Sequence, residues 1–220
     1  MDEVEILAPF LSTRRRARIE EVLAHRTRSL TAVFEAVHDP HNVAAVLRSA
    51  ESCGLQEVHA VRHPEAPTSW SRRVTKHADK WLDVRHHPTI EACLESLRAA
   101  GYAILVSAVH GAAATPLASL DFSGRVAVVF GNEKDGASAA ARDRADQLFH
   151  IPMRGFTESF NVSVAAALTL HHAVRDREQR LGRSGDLDAE EQQELRRRWF
   201  RQSVRAAEAI LARARREGEA

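Results

Sequence analysis

Three separated stretches bring together residue types that could hold a charged ligand. The first runs His41-Asn42-Val43-Ala44-Ala45-Val46-Leu47-Arg48 and is followed by Gly54. Asn42 and Arg48 are six apart, so on one helix they are not stacked neighbours. Arg48 sits among apolar and small residues, which predicts a buried guanidinium in need of an anion. An internal ion pair would meet that need as well as a ligand would. The second stretch is Phe130-Gly131-Asn132-Glu133-Lys134-Asp135-Gly136, where two glycines bracket the Glu133 carboxylate just after an apolar run. Open α/β sheets place ligands at the carboxyl ends of their strands. The residue orders of a phosphate loop and of a dinucleotide fingerprint are both absent, and a plain tight turn would use the same glycines. The third stretch covers 151–167. It starts Ile151-Pro152-Met153-Arg154-Gly155, passes Ser159 and Phe160, and opens a small-residue helix at Asn161-Val162-Ser163. Asn161 or Ser163 suits the helix N-cap. A helix N-terminus beside a polar loop favours a charged or backbone-read ligand, although a buried helix with a decorated loop would read the same way.

The elements that must position these residues follow from periodicity. Residues 13–27 read as an amphipathic helix, with Ala17, Ile19, Val22 and Leu23 at roughly helical spacing. A buried strand at 31–37 is followed by a turn at 38–41. A helix at 42–53 turns Val43, Val46, Leu47 and Ala50 inward, and Gly54 stops it. A second strand at 57–61 completes a βαβ unit and predicts parallel pairing. Residues 62–80 are irregular. Short strands are then expected at 81–84, 102–108, 125–130 and 147–151. Helices are expected at 89–100, at 137–146 and from Asn161 to about Val174. A linker at 178–188 leads to a charged amphipathic helix from Ala189. The chain therefore divides into a basic helical extension (1–29), an α/β domain (30–175) and a charged helical extension (176–220).

Composition sets the class. A chain of 220 residues with 44% apolar and 28% charged residues suits a globular protein with one sizeable core. No run of about 18 apolar residues indicates a membrane span. The N-terminus lacks the order of a signal peptide, so a cytoplasmic location is expected. Cys53 and Cys93 have no metal-ligand spacing, and the histidines, His86-His87 and His171-His172 among them, are expected in surface or packing roles. Net charge is only +1, but arginines cluster at both ends: Arg14, Arg15, Arg16 and Arg18 at one, Arg196, Arg197, Arg198, Arg201 and Arg205 at the other. The planar guanidinium fork suits phosphate, which points to a nucleic-acid backbone; solvated helix faces would carry the same charges.

The joint order of the three stretches is specific. Asn42-x5-Arg48 with Gly54, Gly131-x-Glu133-x-x-Gly136, and Ile151-Pro-Met with Ser159-Phe-Asn161-Val-Ser163 resemble the three motifs of the SPOUT-class RNA 2′-O-ribose methyltransferases. Within that class the likeness is to the TrmH family, bacterial tRNA guanosine-2′-O-methyltransferases acting on the D-loop guanosine at position 18 of tRNA. It extends through Arg18-Ile-Glu-Glu-Val-Leu and Val37-His-x-Pro-His-Asn. The resemblance implies a mostly parallel sheet with helices on both faces and a C-terminal deep trefoil knot. It implies S-adenosyl-L-methionine as methyl donor, no metal, tRNA as partner, and a homodimer with the site near its interface. It also implies that the donor rests on main chain around Ser107, Gly131, Ile151, Met153 and Phe160. Arg48 would match the catalytic arginine, and Asn42, Glu133, Ser159 and Asn161 the polar residues around the reacting ribose. His77 and Arg154 depart from the family pattern.

Physical chemistry narrows the role of that arginine. A guanidinium holds its proton far above neutral pH and gives it up only at a large free-energy cost, so a charged clamp on phosphate and developing alkoxide is favoured over a general base. The enzymatic alternative is a ribosomal RNA ribose methyltransferase of the same class. Such relatives usually carry an extra N-terminal RNA-binding domain, for which the roughly 30 residues before the first strand are too few. A non-catalytic knotted RNA-binding protein is the rival from another class.

Overall fold

The structure, a computed structural model, describes residues 2–61, 80–108 and 114–218. Most of the segment expected to be irregular, including His77, lies outside the described residues. In chain order the elements begin with α1 (Glu3–Leu7), α2 (Thr13–Ala24), β1 (Leu30–Glu35), α3 (Pro40–Ser52) and β2 (Glu57–Val61). They continue with β3 (Asp83–His87), α4 (Ile90–Ala99), β4 (Ala103–Ser107), β5 (Thr115–Pro116) and β6 (Val126–Phe130). The last are α5 (Ala139–Asp143), β7 (Gln147–His150), α6 (Val162–Leu181), α7 (Ala189–Ser203) and α8 (Ala207–Gly218). Residues 27–184 form one compact unit, and residues 1–26 with 185–220 form another.

The larger unit is built on a seven-stranded sheet in the order β3-β2-β1-β6-β4-β7-β5, with every named pair parallel. Ala32 of β1 lies between Val58 and Val128. Successive strand residues point to opposite faces, and both faces are covered. Ala32, Phe34, Val126, Val128 and Phe130 pack with the inner sides of α3 and α6, through Val43, Val46, Leu47, Leu170 and Ala173. Val33, Ala127, Val129, Ile104 and Val106 pack on the other side with α4 and α5, through Ile90, Leu94, Leu97 and Ala141. Each large apolar side chain buried this way stabilises the fold by about 1.5–3 kcal/mol. Burial on both sides explains why β6 reads as an unbroken apolar run rather than an alternating one.

Several sequence expectations shift. The strand expected at 81–84 is β3 at Asp83–His87, because its register is set by pairing with Glu57–Val61 of β2 and not by local hydrophobicity. The helix expected at 137–146 shortens to Ala139–Asp143, capped by Ser138. The helix expected to end near Val174 runs on to Leu181. Its apolar pattern fades there, but Arg175–Glu178 and Arg180–Asp176 pairs support the last turns. Buried Arg177 donates to the Phe122 and Gly124 carbonyls at 2.6 and 2.7 Å. The helix ends at Gly182, whose φ of +68° is the left-handed conformation that lacks a Cβ penalty only in glycine. The linker is correspondingly shorter. β5, the short helix α1 and the break between α7 and α8 have no clear sequence signal.

In the smaller unit, chain ends far apart in sequence pack together, with Leu7, Leu11, Ile19, Leu23, Leu195, Trp199, Phe200 and Leu211 buried. Arg26 is fully buried, its guanidinium 5.2 Å from the Trp199 ring centroid. Several of the clustered arginines are paired within this unit. Arg196 binds Glu20 at 2.7 Å, and Arg201 and Arg215 both reach Glu3. Arg14, Arg205 and Arg216 are exposed and make no ion pair among the described residues. Trp199→Ala is expected to destabilise this unit by about 3–5 kcal/mol, seen as loss of hydrogen-exchange protection across α7 with the sheet amides unchanged.

Candidate active site

The pocket opens where three parallel strands end. Ser107 closes β4, Phe130 and Gly131 leave β6, and His150 and Ile151 leave β7; all line a cavity of about 530 Å³. The cavity is walled on one side by the 131–136 loop and on another by Met153, Ser159, Phe160 and Asn161, which lead into α6. Its size falls within the usual range of small-molecule pockets.

The 131–136 loop is a closed excursion. Asn132 and Gly136 exchange two backbone hydrogen bonds at 3.1 and 3.2 Å. The Asn132 side chain accepts from the Lys134 and Asp135 amides at 2.9 and 2.7 Å. The loop folds back so tightly that a Cβ on Gly131 would lie 1.9 Å from both the Ala137 nitrogen and the Gly136 carbonyl carbon. Just beyond, the Ser138 amide donates to buried Glu35 at 2.9 Å, tying the loop to the end of β1. The glycines thus serve a tight turn, and that turn forms a wall of the pocket.

A polar chain links the three motifs. The Asn42 amide donates to Glu133 at 2.8 Å, and the Asn161 amide donates to Asn42 at 3.1 Å. Asn161 is also the N-cap of α6, where its oxygen accepts from the Ser163 amide at 2.9 Å; of the two candidates for that position, Asn161 holds it. Glu133 additionally accepts from the backbone amides of Asp39 and His38 at 3.3 and 3.5 Å. Burial raises its carboxyl pKa, but the hydrogen bonds from Asn42 and the backbone amides outweigh this and hold it below the ordinary carboxylate range. A lowered pKa means that these contacts are complete above the ordinary carboxylate range and disappear only as pH falls through the lowered value. A carbon-13 NMR titration of Glu133 is expected to show that depressed midpoint, and Asn42→Ala should move it back upward.

Of the ten residues singled out by sequence, Ser107, Gly131, Glu133, Ile151, Met153, Ser159, Phe160 and Asn161 line the one cavity. Asn42 reaches it through Glu133 and Asn161. Arg48 does not line it. Contrary to the sequence expectation of a buried guanidinium, Arg48 is exposed on the second half of α3 and makes no ion pair among the described residues. The cause is helical phase: at about 100° per residue, six steps from Asn42 turn the side chain well away from the direction Asn42 faces. The sequence reading passed over Asn132 and Glu35. An Asn following a loop glycine is a turn signal that could have flagged the first; nothing local flags the second.

A parallel sheet with a ligand cavity at its carboxyl edge, closed by a glycine-bracketed loop and a helix N-terminus, defines an α/β ligand-binding protein of the open-sheet class. The chain belongs to the SpoU rRNA Methylase family, whose profile matches residues 29–171. It is 39% identical over 163 residues, 74% of its length and 83% of the relative's, to a tRNA (guanosine(18)-2′-O)-methyltransferase of Thermus thermophilus. It is 30% identical over 208 residues, 93% of both chains, to the Borreliella burgdorferi protein of the same name. Among solved structures, the A. aeolicus TrmH/SpoU tRNA modifying enzyme superposes with a TM-score of 0.76 at 26% identity, over 87% of this chain and 98% of that one. The SpoU methyltransferase AviRb from Streptomyces viridochromogenes, in complex with AdoMet, gives 0.61 at 26% identity, over 74% of this chain and 64% of that one.

Proposed function

We propose that the protein transfers a methyl group from S-adenosyl-L-methionine to the ribose 2′-hydroxyl of a tRNA guanosine, position 18 in the D-loop. One observation carries this reading: three motifs from distant parts of the chain meet at one pocket through the Glu133–Asn42–Asn161 chain. The names of the two tRNA-modifying relatives, one matching along 93% of both chains, support tRNA over ribosomal RNA as the substrate.

The pocket's composition fits the donor. Phe130, Ile151 and Met153 offer apolar contact for a nucleoside within an otherwise polar lining. Three carboxylates, Glu133, Asp135 and Glu158, against two cations, Lys134 and Arg142, leave a net negative lining that offers countercharge to a cation. When bound, the donor supplies an electrophilic methyl group on a sulfonium. The protein's part is to orient the ribose hydroxyl, exclude water and stabilise the oxygen as its proton leaves. Ser159 and Asn161 present a hydroxyl and an amide at the cavity for the first task.

The charge-stabilising role belongs to Arg48, and one chain alone leaves that side chain outside the cavity. That placement supports a homodimer as the active form, in which a second copy brings a guanidinium to each pocket. Exposed apolar residues beside the pocket support such a cover: Val164 and Leu168 of α6 are each 44% exposed and Phe160 is 38% exposed. The deep trefoil knot that the family resemblance implies would lie near the second and third motifs, the 131–136 loop and the 151–167 stretch. Exposed Arg14, Arg205 and Arg216 are the candidates for phosphate contacts, which position RNA without specifying the nucleotide.

The decisive experiment is to methylate bulk tRNA from a deletion strain with the purified protein and map the product by nuclease digestion and mass spectrometry. A single 2′-O-methyl at guanosine 18 is expected. Methylation of ribosomal RNA instead would move the assignment to the other branch, and no S-adenosylmethionine binding by calorimetry would remove the enzyme reading altogether.

A further inference from the structure

On the face of the sheet covered by α4, near the β3 edge, two histidines and a cysteine converge. His59 Nδ1 lies 2.9 Å from His87 Nε2, with the rings stacked at 5.1 Å between centroids. A ligand atom of each, together with Cys93 Sγ, falls within 4.8 Å of the others. β2 and β3 pair in parallel with His59 opposite Arg85 and Val61 opposite His87, so both imidazoles project from the same face. Cys93 comes down onto that face from α4. His59 and Cys93 are buried, while His87 is half-buried at the strand end and offers a route in from solvent.

We propose that His59, His87 and Cys93 form a binding site for a divalent metal ion of the zinc class, separate from the methyl-transfer pocket. Two imidazoles and a thiolate are the donor types zinc takes, and three protein ligands leave a fourth position for water. Tetrahedral bonds of zinc length set neighbouring donors about 3.3–3.6 Å apart. The imidazole nitrogens must therefore open slightly from their present contact and the thiolate must close in, which side-chain rotation on one face can supply.

A carboxylate stands near for the outer shell. His59 Nε2 lies 3.2 Å from Glu57 Oε1 without a formed hydrogen bond, so a small ring rotation would complete the carboxylate–histidine arrangement that orients a metal-bound imidazole. Glu57 is itself held by Arg85 at 2.8 Å and by Arg28 at 3.4 Å. Coordination through His59 Nδ1 and His87 Nε2 leaves each neutral ring its proton on the other nitrogen. Burial, with the nearby Glu35 carboxylate adding to it, pushes the Cys93 thiol up to about 12, so metal capture releases that proton to solvent. The bound ion would pin edge strand β3 and helix α4 to the central strands, a structural role that does not touch the reacting groups.

The test uses the untagged full-length chain, freed of metal by chelator and titrated with Co²⁺ and then Zn²⁺. Co²⁺ is expected to saturate at one ion per chain with a thiolate-to-cobalt charge-transfer band, which Zn²⁺ then abolishes. Cys93→Ser should remove the band and Cys53→Ser should leave it. His87→Ala should weaken binding at least tenfold, and Glu57→Gln about tenfold. Zn²⁺ should raise the melting temperature of the wild type but not of His87→Ala. If a buried substitution prevents folding, the half-buried His87 variant still decides, with circular dichroism as the check on its fold. A wild-type titration without the charge-transfer band, or a band that survives Cys93→Ser, overturns the site.

Discussion

Arg48→Lys is expected to slow single-turnover methyl transfer by about 10²–10³-fold, the usual cost of losing one donor aimed at developing oxyanion charge, with S-adenosylmethionine affinity unchanged. Lysine keeps the charge but loses the planar fork that can hold a phosphate oxygen and the reacting oxygen together. Because Arg48 lies outside the cavity of its own chain, the loss should also have a subunit signature. A mixed dimer of Arg48→Ala and Asn161→Ala chains carries one pocket with both residues intact if the arginine is supplied across the interface, and none if it is supplied within the chain. Recovery of activity in co-purified mixed dimers, relative to either parent, is the expected result. A lysine variant with nearly full rate would remove the clamp, and a mixed dimer as inactive as its parents would remove the second copy.

Gly131→Ala should abolish donor binding and lower the melting temperature together. A methyl group there would sit 1.9 Å from backbone atoms of Gly136 and Ala137, and backbone cannot rotate aside as a side chain can. Overpacking of this kind typically costs about 1–3 kcal/mol, and the cheapest relief is to push the 132–136 loop outward, which removes a wall of the pocket. Calorimetry with S-adenosylmethionine and a thermal melt on the same sample test both halves. Gly136→Ala is the useful contrast: its Cβ would meet open space, but its φ of +70° makes the substitution strained, so a smaller loss is expected. Wild-type donor affinity in Gly131→Ala would show that the loop does not form the donor's berth.

What the sequence determined by itself was local. Apolar spacing named the buried face of α3 through Val43, Val46, Leu47 and Ala50, and β-branched and aromatic content marked β1 as a buried strand. Turn and cap chemistry located the 131–136 loop and the start of α6 at Asn161. These features depend on a residue and its near neighbours, where steric and hydrogen-bonding preferences act directly. The tertiary structure decided what depends on strand order. It set β6 between β1 and β4, and so brought Glu133 to Asn42 and Asn42 to Asn161 across long separations in sequence. It turned Arg48 outward, although its neighbours in sequence suggested burial. It paired part of the terminal arginine charge within the smaller unit, and it assembled His59, His87 and Cys93, which show no ligand spacing along the chain. Periodicity records which face of an element is apolar; it carries no information about which other face that element will meet, because that choice is made by packing energies summed over the whole sheet.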